Sequence, residues 1–217
     1  MNLDFALFIP VLILSVVVHE VAHAWQARRE GDPTAERLGR ITLNPLPHLD
    51  LIGSVVVPLL LFVGTDGLIF GWAKPVPVNP ANFRDHPGGD IRVSLAGIVS
   101  NLVLAVLFTL LAGILVPAQA VLGSTVAGIL QQAAFFGIFI NLLLAFFNLL
   151  PIPPLDGSHV VAQLLPRELA ARYRAMGRFG IPVLLLLIFF LPGALGVALA
   201  PVTWLMGWAD AFVRMWL

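Results

Sequence analysis

Long hydrophobic runs alternate with short polar, proline-punctuated stretches along this chain. Residues 5–27, 93–116 and 124–150 are nearly continuous apolar runs of the length that crosses a bilayer. Residues 51–70 are also apolar but are broken by Gly53, Pro58, Gly64, Asp66 and Gly67, and 181–200 contains Pro182 and Pro192. The tail, 201–217, carries Trp204, Trp208 and Trp216, with Asp210 and Arg214 one helical turn apart, and reads as an interfacial helix or a last span. The first run is not a signal peptide: it is too long, lacks a positive start and holds His19 and Glu20 in its interior. In the polar stretch 71–90 the proline spacing forbids a helix and suits an extended edge strand. The pattern predicts an all-α polytopic membrane protein. It has about five to six membrane helices, a re-entrant segment over 51–70 and a short membrane-associated β element, all in one domain spanning 1–217.

Composition removes the soluble alternatives. Of 217 residues, 59% are hydrophobic and 11% charged, where a soluble domain carries about 25% charged. Mean hydropathy is +0.96. So few charges cannot cover a water-exposed surface, which excludes a cytosolic enzyme and a disordered chain. The formal net charge is zero, so nucleic acid is not a partner. With no cysteine, disulfides, thiol chemistry and cysteine-rich zinc sites are absent.

Charge placement chooses a topology. If every apolar run crossed the bilayer, the four arginines of 28–50 would lie inside and seven cations outside, against the positive-inside rule. If 51–70 instead dips in and returns, the segments 28–50, 71–92 and 151–178 share the cytoplasmic face, and eleven cations lie inside before the tail. The Gly and Pro content of 51–70 fits such a hairpin, since non-helical backbone at membrane depth needs protein or water around it.

Within the first helix stands His19-Glu20-Val21-Ala22-His23, an HExxH motif. On a helix, positions i and i+4 share a face, so both imidazoles can bind one Zn²⁺ with Glu20 beside it. Three ionisable groups at hydrocarbon depth are costly and usually functional. A catalytic zinc takes three protein ligands and keeps one open position. Asp156, at the end of Asn148-Leu149-Leu150-Pro151-Ile152-Pro153-Pro154-Leu155-Asp156-Gly157, is the candidate third ligand; the competing reading is an N-capping Asp at a turn. In the re-entrant topology the helices bearing His23 and ending near Leu150 run the same way, which brings the three groups to one depth.

HEVAH in a first membrane helix, followed by NLLPIPPLDG, resembles the site-2 protease family of intramembrane zinc metalloproteases, peptidase family M50. FGWAKPVPVNPANF and SLAGIVSNL look like its short prokaryotic branch without a PDZ domain. The likeness runs from about Ser15 to Gly157. It implies one zinc per chain held by His19, His23 and Asp156, Glu20 as general base, and Asn148 as a donor to the scissile region. It further implies that GWAKPVPV holds substrate in extended form. Ala96-Gly97-Ile98 departs from the family's frequent Ala-Gly-Pro and leaves the catalytic set untouched.

The expectation is therefore an intramembrane zinc metalloendopeptidase, multi-pass in the cell (plasma or inner) membrane, with its active site near the cytoplasmic face. Its partners would be transmembrane protein substrates and the lipid bilayer. A non-proteolytic membrane zinc-binding protein or transporter is the alternative; a transporter favours ionisable groups along a whole path, whereas here they cluster at one level. Of the remaining polar residues, His159 reads as a solvated helix-start histidine, and His48 and His86 as surface residues. Asn101 reads as a helix–helix hydrogen bond. Gly113, Gly123, Gly128 and Gly137 read as helix-packing positions.

Overall fold

The computed structural model describes residues 3–57, 60 and 71–216. α1 (Leu3–Glu30) is a 28-residue apolar helix that closes on Arg28 and Arg29. Gly31 turns the chain at φ 114°, where a side chain would also meet Asn82 O at 2.9 Å. A short α2 (Thr34–Arg37) follows. The long α3 (His86–Leu122) starts at Asp85, whose side chain accepts from the Gly88 N–H, and ends at Gly123. α4 (Ser124–Asn148) stops just before the proline-rich turn. Beyond it come α5 (Asp156–Leu164), α6 (Arg167–Ala175), α7 (Gly180–Phe190), α8 (Pro192–Ala198) and α9 (Ala200–Arg214).

α1, α3 and α4 pack together, and α9 lies against α3 and α4. The core between them is built from Ala105, Ala112, Leu115 and Val116 of α3, Ala134, Ile138 and Leu142 of α4, and Val202, Ala209 and Val213 of α9. Small residues let membrane helices approach closely, where lipid offers no hydrophobic drive for association. Gly137 faces the Phe108 ring and Gly113 faces Phe212 and Trp216, as helix-packing positions should. Gly123 and Gly128 do not serve that purpose. Gly123 is a turn at φ 79°, and Gly128 has nothing within 4 Å.

Four helical stretches among the described residues are long and apolar enough to cross a membrane: Leu3–Glu30, His86–Leu122, Ser124–Asn148 and Arg167–Phe190. The pair Pro192–Ala198 and Ala200–Arg214, bent by 51°, makes a fifth if counted as one broken span. With that pair the count among the described residues reaches the lower bound of the five to six expected, but the last spans are divided differently from the apolar runs. The run 181–200 is not one helix; α7 ends at Phe190 because Pro192 disfavours helical backbone at Leu191, which sits at φ −132°, ψ 48°. The residues after the proline join the tail instead.

The expected β element is absent: no strand exists among the described residues, and 71–79 has no regular structure. Pro75 and Pro77 have no N–H to give a ladder. The segment is fastened bond by bond: Lys74 N–H to His48 O (2.9 Å), Arg40 to Lys74 O (2.8 Å), Val76 N–H to Glu20 Oε2 (2.8 Å) and Asn79 N–H to Asp32 Oδ2 (2.7 Å). Of the expected re-entrant segment 51–70, Leu51–Val56 forms a π-type helical turn with the Asp50 carboxylate accepting from Gly53 N–H. Residues 58–59 and 61–70 lie outside the described residues. Gly53 and Trp72 are joined directly, Trp72 N–H donating to Gly53 O at 3.0 Å and Ser54 Oγ to Trp72 O at 2.9 Å.

Candidate metal centre

Ser15, His19 and His23 follow one another at intervals of four along α1, and Val93, Gly97 and Asn101 do the same along α3. Each set lies on one helix face, and the two faces meet. His23 Nδ1 lies 2.7 Å from Val93 O, and His19 Nδ1 lies 2.5 Å from Asn101 Oδ1. Between these contacts Gly97 leaves room for the rings. A Cβ there would stand 2.4 Å from His23 Nε2 and 2.7 Å from His19 Nε2. The third member arrives from α5. Asp156 is the first helical residue after the Pro151–Pro154 turn, and no side-chain cap is made at that helix start. The N-capping reading of Asp156 is therefore incorrect; its carboxylate points at the two histidines.

The three candidate ligand atoms form a tight triangle. His19 Nε2 and His23 Nε2 are 3.0 Å apart, and Asp156 Oδ2 lies 3.2 Å from the first and 3.3 Å from the second. Both histidines are buried. Because a carbonyl oxygen only accepts, each Nδ1 carries the proton and each Nε2 presents a lone pair. Asp156 Oδ2 is buried and makes no hydrogen bond. With each Nδ1 proton committed to a carbonyl, the three atoms that face one another are arranged to share a cation, a metal ion or a second proton on an imidazole. The spacing suits zinc: bonds of about 2.0–2.1 Å in a tetrahedron imply ligand separations of about 3.3 Å. Two neutral imidazoles and one carboxylate are also the donor set of a catalytic rather than a structural zinc site.

The other expected residues fall on either side of this centre. Glu20 is half-buried, with Oε2 accepting the Val76 N–H. Asn148 donates from Nδ2 to Leu144 O of its own helix at 2.9 Å. His159 is not in the triangle. It pairs with buried Asp90 at 3.6 Å, which raises the imidazole pKa above its ordinary value, while Gln163 also donates to that carboxylate. Asn101 makes the expected helix–helix bond, to Asn141 of α4 (2.7 Å), but it also holds His19. His48 is a correction: it is 2% exposed, with Nε2 donating to Thr42 O. Gly97 was missed as a site residue, although its place midway between Val93 and Asn101, opposite the HExxH helix, was a readable signal.

The profile described as Peptidase family M50 matches residues 110–189, a stretch that contains Asn148 and Asp156. The chain is 42% identical over 179 residues to "Putative zinc metalloprotease YwhC" of Bacillus subtilis, a match covering 81% of this chain and 77% of that one. It is 37% identical over 155 residues to "Putative zinc metalloprotease Rip2" of Mycolicibacterium smegmatis, 70% of this chain and 55% of that one. With the protein of the same name from Mycobacterium tuberculosis it shares 31% identity over 201 residues, 93% of this chain and 73% of that one. No solved structure matches.

Proposed function

The chain belongs to peptidase family M50, the site-2 protease family of zinc metalloproteases, and from that premise we propose that it cuts peptide bonds within transmembrane segments of other membrane proteins, using one zinc held by His19, His23 and Asp156. The observation that carries this reading is the buried triangle of two Nε2 atoms and a carboxylate oxygen at 3.0–3.3 Å, the separation expected of ligands around one zinc. When bound, zinc supplies Lewis acidity, polarising the scissile carbonyl and acidifying the attacking water. Glu20, next to His19 in the chain, takes the water proton and delivers it to the leaving amine. Its Oε2 is fixed by the Val76 N–H, which aims the carboxylate and leaves Oε1 for the proton. Asn148 spends one N–H on Leu144 O, and its second N–H serves the developing oxyanion, a contribution of about 2–4 kcal/mol.

The whole chain acts as a single membrane-embedded protease domain in the cell membrane, with the site near the cytoplasmic face. The Gly53–Trp72 bond supports a re-entrant 51–70, because a span would carry residue 72 about 30 Å away, to the opposite interface. That topology gathers the cations of 28–50, 71–92 and 151–178 on one side, as the positive-inside rule requires. Substrate then reaches the site beside 71–79, through its side chains and carbonyls, since this segment is anchored individually and offers no ladder.

The test pairs wild type with Glu20→Gln in detergent, with bound zinc quantified and each incubated with single-span membrane peptides. About one zinc in both, with cleavage by the wild type alone, is the expected result. No zinc in either removes the metal site, and equal cleavage by Glu20→Gln removes Glu20 as the base.

A further inference from the structure

Behind the metal triangle lies a chain of buried amides whose polarity can be traced atom by atom. Ser15, Asn101 and Asn141 are each 0% exposed, on α1, α3 and α4 respectively. At membrane depth each of their polar atoms must find a partner. Three backbone carbonyls, which can only accept, set the direction. The Ser15 hydroxyl donates to Val11 O at 2.8 Å, so towards Asn141 it can only accept. Asn141 Nδ2 therefore donates to Ser15 Oγ (2.8 Å) and Gly137 O (2.8 Å), which turns its Oδ1 towards Asn101. Asn101 Nδ2 in turn donates to that Oδ1 (2.7 Å) and to Ser15 O (3.3 Å). Only Asn101 Oδ1 is left, and it faces His19 Nδ1 at 2.5 Å.

Reversing the Asn101 amide would set its oxygen against Asn141 Oδ1 and Ser15 O. Reversing both amides would set Asn141 oxygen against Gly137 O. We propose that Asn101 is a positioning residue for the metal centre, locked by Asn141 and Ser15 so that it can only accept the proton of His19 Nδ1 and thereby keeps His19 Nε2 bare for the metal. His23 needs no such device, because Val93 O accepts its Nδ1 proton directly. The two histidines thus reach the same tautomer by different means, one by backbone and one by a three-helix amide relay. Outer-shell partners of this kind govern ligand orientation and affinity.

The inference rests on the metal-site reading, and zinc affinity separates the two. Zinc dissociation constants would be measured by chelator competition on the purified full chain, with thermal unfolding of the metal-free protein alongside. Asn101→Leu is expected to weaken zinc binding about 10- to 100-fold. Asn101→Asp keeps an acceptor on His19 Nδ1 and is expected to stay within a few-fold of wild type, although it loses its donors and melts lower. Ser15→Ala removes the hydroxyl but leaves Gly137 O to fix the Asn141 amide and Ser15 O to fix that of Asn101, so it should melt lower with zinc affinity unchanged. Wild-type affinity in Asn101→Leu, or equal weakness in Asn101→Leu and Asn101→Asp, overturns the proposal while leaving the metal site standing. If Asn101→Leu does not fold, Asn101→Ala, which also removes the acceptor, takes its place with the same two outcomes. A wild type that binds no zinc overturns both.

Discussion

Asp32 and Asp156 are two carboxylates in polar corners of a very apolar chain, and their surroundings are opposite. Asp32 is 1% exposed and surrounded by donors: Asn79 N–H at 2.7 Å on Oδ2, and the Asn82 amide (2.7 Å), Thr34 N–H (3.1 Å) and Thr34 hydroxyl (2.5 Å) on Oδ1. Burial alone would raise its pKa, and these donors hold it below the ordinary value instead. Asp156 Oδ2 is also buried but faces the Nε2 atoms of His19 and His23 in place of any amide or hydroxyl donor. A carboxylate with both oxygens answered by donors is a fastener; here it pins 79–82 to the end of α1. A carboxylate aimed at two imidazoles, with no fixed donor of its own, is placed to share a cation with them.

The sharpest way to break that comparison is to neutralise each carboxylate. Asp156→Asn should lower zinc affinity by roughly two orders of magnitude or more, beyond the 10–100-fold typical of outer-shell losses. Metal-free thermal stability should change less than in Asp32→Asn, because Asp156 Oδ2 is not held by any fixed donor. Asp32→Asn should do the reverse. It should lose about 2–4 kcal/mol of stability by setting an amide against donors, while the folded fraction keeps its zinc. Equal effects of the two changes on zinc would erase the distinction drawn above.

Gly97→Ala comes next, since a methyl 2.4 Å from His23 Nε2 must displace the imidazoles. We expect at least a tenfold loss of zinc affinity by chelator competition, whereas Gly128→Ala, with open space around it, should change nothing. A smaller effect belongs to Val76→Pro, which deletes the N–H on Glu20. Cleavage should fall about tenfold, the worth of one hydrogen bond to a charged group, with zinc content unchanged and Val76→Ala close to wild type. The smallest effect concerns acid. Because the folded pKa of Asp32 is depressed, its stabilisation is full above the unfolded value near about 3.9 and fades as pH falls through the folded one. Urea titrations at stepped pH should show that acid-dependent part missing in Asp32→Asn.

The sequence carried the three residues that meet in the triangle and most of the membrane helices, for physical reasons. Apolar runs of 20 residues announce themselves, and HExxH encodes its geometry in a helical repeat. The apparent edge strand at 72–78 misled because prolines allow two readings, a ladder edge or a segment with no ladder at all. Only the tertiary partners His48, Glu20 and Asp32 decide between them. Leu191 hid a helix break, since hydropathy over 181–200 is blind to one residue's backbone. Asn101 was read correctly as joining helices, yet its hold on His19 needed the crossing of α1 and α3, which sequence spacing alone does not give. Gly97 was legible in hindsight through the four-residue ladder Val93, Gly97, Asn101 facing Ser15, His19, His23.

The central claim is that the triangle of His19, His23 and Asp156 is a zinc site. Zinc-edge X-ray absorption on the purified, zinc-loaded chain tests it most directly. The account predicts a shell of about four nitrogen and oxygen ligands near 2.0–2.1 Å, with the multiple scattering of two imidazole rings, and loss of one oxygen ligand in Asp156→Ala. A six-coordinate oxygen shell without imidazole scattering, or a spectrum identical in Asp156→Ala, would contradict it.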